Sequence, residues 1–321
     1  MTVTVYTSED TDAPKLFDQV AGTTTNFWKK ILVDGYGTKP GAGWSMPFID
    51  GHIAVFQNAE QDAFYRMDGS DAGRYFYLTT FLSMSDAHTG LDGAINNSLN
   101  SGRGQRCELG YLSHHANRDF KWLVIADERT VWIYTYGFSS STNHTYSAFV
   151  AQTSMFGSVD GVFGRLPMVK LSYFTSQTAY SGFNGALSHV DFYCAGLWMS
   201  GATLLSVYSN NGYMAYPSTD YSFNKNASVD MVTNFTGDIQ LTALQARVTH
   251  GQYDNFGGLL LRGGYEVLCD LRTVTTELED ESERIKFFTH QGRPFVRLIS
   301  KGSSGTGYDC AIVVALDDWG L

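Results

Sequence analysis

Three features of the sequence predict a mainly β fold: antiparallel sheets, sandwich or barrel-like, with one short N-terminal helix and long loops. Aromatic and β-branched runs about 4–8 residues long recur along the chain, and such residues fit the pleated, half-buried surface of a sheet. Clusters of Gly, Asp, Asn and Ser separate them, as at Asp68-Gly69-Ser70-Asp71-Ala72-Gly73, where turns form. One stretch, 24–33, instead spaces Phe27, Trp28, Ile31 and Leu32 for a helix face.

From the N-terminus, residues 1–6 alternate Thr and Val and suit a short strand or extended arm, and 8–14 are polar and turn-rich. For the helix, Thr24 or Thr25 is the expected N-cap, with Lys29 and Lys30 near its C-terminal end. Gly35 follows, where a helix exit commonly takes a left-handed conformation. Gly35, Gly37, Gly41, Gly43 and Pro40 then impose a tight path before Trp44 enters the sheet. Asp34, Gly35, Tyr36, Gly37, Lys39, Pro40, Gly43 and Trp44 are therefore the candidate site, read as a structural turn with Lys39 on its surface.

Strands are expected over 52–57, 63–67, 74–81 and 121–127. Residues 122–126 and 131–136 suit a hairpin across Asp127-Glu128-Arg129-Thr130. Later strands begin at Phe149-Val150 and cover 168–174, 187–193, 204–208, 239–249, 259–270, 295–300 and 310–316. Residues 86–106 form a long Gly/Asn/Ser segment without a pattern, the kind of loop that serves a function or lies on a neighbour. The charge run 277–283 suits a solvated loop. No repeat with a period of about 20–50 residues is apparent.

A chain of 321 residues holds one large or two ordinary domains. The turn-like Ser158-Val159-Asp160-Gly161 suggests a division into 1–157 and 158–321, or one composite domain. With 43% hydrophobic and 17% charged residues, the composition excludes a disordered chain. The net charge of −10 argues against wrapping nucleic acid. Cys107, Cys194, Cys269 and Cys310 lack metal-ligand spacing and read as buried free thiols, a disulfide pair being the alternative. The first residues lack the basic and apolar regions of a signal peptide. No run of about 18 apolar residues suits a membrane span. Assembly in a cytoplasm is therefore expected, and the N-x-S/T matches at Asn96, Asn143, Asn226 and Asn234 read as chance.

The search for chemistry is negative. There is no phosphate-binding loop, H-E-x-x-H, G-x-S-x-G or EF-hand loop. The glycines at 35–43 do not make the dinucleotide spacing. His114 and His115 would point opposite ways on a strand and lack two further ligands. Asp127 with Glu128, and Asp317 with Asp318, are turn neighbours with nothing to place them across a cleft. No catalytic residue, cofactor or metal ligand is expected.

The stretch Leu32-Val33-Asp34-Gly35-Tyr36-Gly37, followed by Lys39-Pro40 and Gly43-Trp44, resembles a family of tailed-bacteriophage virion proteins. That family carries a close variant of "LVDGYGSKPAAGW" after a short N-terminal helix. Phe64-Tyr65-Arg66-Met67-Asp68, Met84-Ser85-Asp86 with Thr89-Gly90, and Trp122-Leu123-Val124-Ile125-Ala126-Asp127 are similar to its next segments. Gly258-Leu259-Leu260 through Tyr265, and Gly292-Arg293-Pro294-Phe295-Val296, are similar to its final third. Gly41 stands where the family usually has Ala, and 166–255 shows no likeness. The resemblance implies a non-enzymatic tail, neck or baseplate subunit that assembles in a ring with its own copies and other phage structural proteins. The alternative is a tail-borne protein that binds or hydrolyses a host-surface glycan, using exposed aromatic side chains that stack on sugar rings.

Overall fold

The computed structural model describes residues 2–16, 18, 20–61, 63–70, 75–81, 83–91, 105–108, 121–140, 147–161, 164–173, 204–208, 241–250, 253–267, 285–300 and 310–319. Its strands, in chain order, are β1 (Thr4–Thr7), β2 (Ser45–Asp50), β3 (Ile53–Gln57), β4 (Phe64–Asp68), β5 (Tyr75–Phe81) and β6 (Ser83–Met84). Next come β7 (Gly90–Leu91), β8 (Gln105–Glu108), β9 (Lys121–Ala126), β10 (Thr130–Ser140), β11 (Ser147–Gly161) and β12 (Gly164–Tyr173). The last six are β13 (Leu204–Tyr208), β14 (Leu241–His250), β15 (Tyr253–Val267), β16 (Ile285–His290), β17 (Arg293–Ser300) and β18 (Cys310–Ala315). One helix, α1 (Thr23–Lys29), runs on through a π turn, Lys30–Asp34.

The protein is mainly β, in three antiparallel sheets. The largest has eleven strands along the path β1-β9-β10-β11-β15-β18-β17-β16, with β12 on β11 and β13-β14 branching from β15. A five-stranded sheet runs β2-β3-β4-β5-β8, and β6-β7 is a separate pair. One core joins the two larger sheets. Tyr65 and Met67 of the smaller sheet and Trp122, Val124, Ile133 and Phe156 of the larger meet Phe27, Trp28, Ile31 and Leu32 of the helix. Aromatic edges meet faces through it: Phe27 to Trp122 at 4.9 Å, Trp28 to Phe156 at 5.0 Å and Trp44 to Tyr65 at 5.2 Å between centroids. Such geometry sets the ring quadrupoles edge to face, adding about 0.5–1.5 kcal/mol per pair to the area buried.

The expected hairpin is present, with β9 and β10 pairing from Val131↔Ala126 to Tyr136↔Lys121. Three local expectations are corrected. Ser158-Val159-Asp160-Gly161 is not a turn but the end of β11, paired with β12 down to Gly161↔Gly164. The position 157/158 therefore lies inside one continuous strand, which also pairs with β15. Neither Thr24 nor Thr25 caps the helix: Gly22 does, at φ 88° and without a side-chain hydrogen bond, while Thr25 Oγ1 donates to the His52 carbonyl at 2.6 Å. The segment 86–106 contributes β7 and part of β8, with 92–104 outside the described residues. Also outside them lie His114, His115, the strand expected at 187–193, the run 277–283, Cys194, Cys269 and the four N-x-S/T asparagines. Among the described residues no helix is long and apolar enough to cross a membrane.

Candidate functional site

The stretch after the helix is a knot tied onto the N-terminal strand. The π turn closes with the Gly35 amide donating to the Lys30 carbonyl at 2.8 Å, five residues back. The wider turn leaves the carbonyls of Ile31 and Leu32 facing the returning chain, whose Ala42 and Trp44 amides donate to them at 2.9 and 3.0 Å. The chain that follows the helix thus satisfies the acceptors every helix end leaves open.

Gly35 has φ 78° and ψ 178°. It is not the left-handed cap expected but lies in the region open essentially to glycine alone. A Cβ there would collide with the Lys39 carbonyl oxygen, and one on Gly41 with the Val33 carbonyl. An alanine at position 41 would have to displace backbone. Gly37 packs its backbone over the Thr11 carbonyl, and Gly43 faces Glu128.

Asp10, in the polar segment before the helix, organises the knot. Its Oδ2 accepts hydrogen bonds from the Thr7 amide at 2.7 Å, the Tyr36 hydroxyl at 2.7 Å and Lys39 Nζ at 2.6 Å. Lys39 also donates to the Val5 carbonyl at 2.7 Å, so the side chain expected on the surface is held by two acceptors. Pro40 supplies the carbonyl that accepts from the Tyr6 hydroxyl at 2.8 Å. Burial alone would raise the Asp10 carboxyl, but the hydrogen bonds from Lys39, the Thr7 amide and Tyr36 outweigh it and hold the group below the usual carboxylate range. Burial pushes the Tyr6 hydroxyl up to about 12, and burial with the Asp10 charge pushes Tyr36 up further. Both stay protonated donors. Asp34 remains at the surface, 3.5 Å from Lys29 and 3.8 Å from Lys30.

Trp44 links the knot to a second hub, its Nε1 donating to the Asp127 carbonyl at 2.9 Å. The Asp127 carboxylate turns inward. Its Oδ1 accepts from the Arg129 and Thr130 amides at 2.9 and 2.8 Å, closing the β9–β10 turn. Arg262 of β15 grips both oxygens, at 3.1 and 2.8 Å, and also donates to Thr130 Oγ1 at 3.0 Å. Both side chains are sealed from solvent, at 1% and 0% exposure. Asn58 reaches the same turn from the β3–β4 connection, donating to the Arg129 carbonyl at 3.4 Å and to Ser158 Oγ of β11 at 2.8 Å.

At the far sheet end, Arg293 holds Asp317 through two bonds of 2.6 and 2.8 Å. Each favours the other's charged form: Arg293 binds its proton more tightly, and the hydrogen bond from Arg293 lowers the Asp317 carboxyl.

All eight candidate residues therefore fall in one knot or its immediate flank. What the sequence reading missed is the acceptor, Asp10, and the second anchor, Arg262. Asp10 carried only the weak signal of an acid in a polar turn, 26 residues before Tyr36 and 29 before Lys39; nothing local pointed to Arg262. The paired-carboxylate candidates are not brought together as an acid and base, since Asp127 and Asp317 are each gripped by an arginine. Among the described residues no group of three or more His, Cys, Asp or Glu is placed to hold a metal ion. No family model matches the chain, and neither does any curated protein or solved structure.

Proposed function

We propose that this chain is a non-enzymatic structural subunit of a tailed-bacteriophage virion, in the tail, neck or baseplate, built into a ring with copies of itself and other virion proteins. Two things support the reading: the sequence resemblance, and the use to which the resembling motif is put. The observation that carries most weight is the Asp10 cluster, in which Tyr36 and Lys39 turn back onto this chain's own N-terminal strand. A motif whose polar atoms are spent within its own chain, on the Asp10 carboxylate and the Val5 carbonyl, specifies a shape, and a shape is what a repeated subunit contributes. Assembly would take place in the host cytoplasm.

The test is to band particles from a lysate by density and quantify the chain by mass spectrometry. A fixed ratio to the major capsid protein is expected, and absence from purified particles overturns the proposal. In parallel, purified protein is expected to release no reducing sugar from peptidoglycan or capsular polysaccharide. Sustained release abolished by one Asp or Glu substitution would favour the glycan-hydrolysing alternative.

A further inference from the structure

Among the described residues, the five-stranded sheet ends at β2 and the eleven-stranded sheet ends at β16, each strand paired on one side only. Both strands are six residues long. Two of the three exposed large hydrophobic residues, Ile49 at 53% and Phe287 at 56%, sit on these two edges. Each is the outermost member of a row of core side chains. Ile49 lies across from Ala54, which lies across from Met67 and then Leu78, all three buried. Phe287 lies across from Val296, and Val296 from Val314, both fully buried. In both sheets a core row runs out to the edge and stops against water.

The edges also differ in charge. Asp50, whose Oδ2 lies 2.8 Å from His88 Nε2, is 68% exposed on β2, and Lys286 is exposed on β16. We propose that copies of this chain join head to tail, β2 of one pairing antiparallel with β16 of the next, with Ile49 opposite Phe287. This deepens, and rests on, the reading of the chain as a self-assembling subunit. That one register also sets Asp50 opposite Lys286 and the half-buried Phe48 opposite Phe288. A β-branched–aromatic pair, an opposite-charge pair and an aromatic pair then fall directly across from one another, the contacts that stabilise neighbouring strands. Parallel pairing centred on the same residues would set Lys286 against Phe48 and Asp50 against Phe288. Pairing β16 with its own copy about Phe287 would set Lys286 against Phe288, and β2 with its own copy about Ile49 would set Asp50 against Phe48. Charge complementarity thus selects a second copy and the unlike edge.

Pro47, the register shift between Ser45 and Phe48, and Lys286 discourage indiscriminate strand addition, which leaves 48–50 as the matching portion. A contact between unlike patches, repeated copy to copy, closes a ring when the rotation per step allows and otherwise extends as a filament. Short edges bury little area, so the contact is at the weak end and forms at high local concentration.

The experiment is zero-length disulfide trapping on concentrated purified protein under mild oxidation, with the parent chain as the background for its native thiols. Ile49→Cys mixed with Phe287→Cys is expected to give a dimer band, and the double variant a ladder. Either single variant alone stays at the parent background. In the double-cysteine chain, Asp50→Lys or Lys286→Glu is expected to abolish the ladder, and the two together to restore it. Absence of the mixed dimer, or a dimer from either single variant alone, overturns the proposal. Mass spectrometry of particles reports the virion reading separately: a ladder from a chain absent from particles sinks that reading and keeps the contact. A chain present in particles without the ladder does the reverse.

Discussion

Asp10 and Asp127 hold the protein together in the same way under opposite conditions. Each sits at a turn, accepts from backbone beside it (one amide for Asp10, two for Asp127), and is capped by a cation brought from elsewhere. Asp10 is 20% exposed and takes its cation, Lys39, from 29 residues away. Asp127 is fully buried and takes Arg262 from 135 residues away. The first ties a local knot that water can partly replace. The second closes a long loop in a medium where an unpartnered charge has nowhere to go, because the attraction and the desolvation penalty both grow as water is removed.

The comparison is broken most severely at the buried pair. Arg262→Met is expected to destabilise the protein by about 3–5 kcal/mol, since it leaves a sealed carboxylate without its cation. Asp127→Asn strands the guanidinium instead and costs a similar amount. The double variant is expected to recover a substantial part of the loss, because neither charge is then buried alone. Urea unfolding at neutral pH measures all three. A cost below about 1 kcal/mol for Arg262→Met would place the pair with ordinary surface ion pairs and dissolve the contrast with Asp10.

The knot breaks in two grades. Gly35→Val is expected to cost at least about 1–3 kcal/mol from backbone strain alone, with the collision at the Lys39 carbonyl added. Soluble yield and melting temperature should both fall. Lys39→Ala is expected to cost about 1–2 kcal/mol, because it removes a charged donor from both Asp10 and the Val5 carbonyl. If Lys39→Ala melts with the parent, water satisfies Asp10 as well as lysine does.

The same division between near and far explains what the sequence disclosed. The knot was legible, since Phe27, Trp28, Ile31 and Leu32 show helical spacing and the glycines after them leave few paths for the chain. The β9–β10 hairpin was legible too, because two strand-like runs flank a short polar link. Lys39 was read only as a surface residue because lysine is usually exposed, and its acceptor, Asp10, lies before the helix, beyond any local window. Arg262 was invisible: no spacing rule reaches a partner 135 residues away, and only folding brings β15 against the turn. Ser158-Val159-Asp160-Gly161 has turn composition, yet the β11–β12 and β11–β15 ladders hold it extended. Strand β2 follows the point where Trp44 was expected to enter the sheet, and it holds Pro47, which an edge position allows.

The smallest effect is expected at the third aspartate. Asp317 is 30% exposed and Arg293 43% exposed, so solvent screens a pair whose geometry is bidentate. Asp317→Asn is therefore expected to cost less than about 1 kcal/mol at neutral pH. Its pH dependence has a definite sign. The hydrogen bond from Arg293 lowers the folded-state carboxyl, so the stabilisation is complete above the unfolded carboxylate value of about 3.9. It is lost as pH falls through the folded value, where both states bind the proton equally. The melting-temperature gap between parent and Asp317→Asn should thus be present at neutral pH, narrow through the acid range and shrink with added salt. Asp10→Asn shares the sign, because Asp10 is lowered as well, but two neutral donors accompany its lysine, so its gap should be larger and less sensitive to salt. A gap at Asp317 that persists in acid would assign its contribution to holding Arg293 in place against Tyr265 and Phe295 instead of to charge.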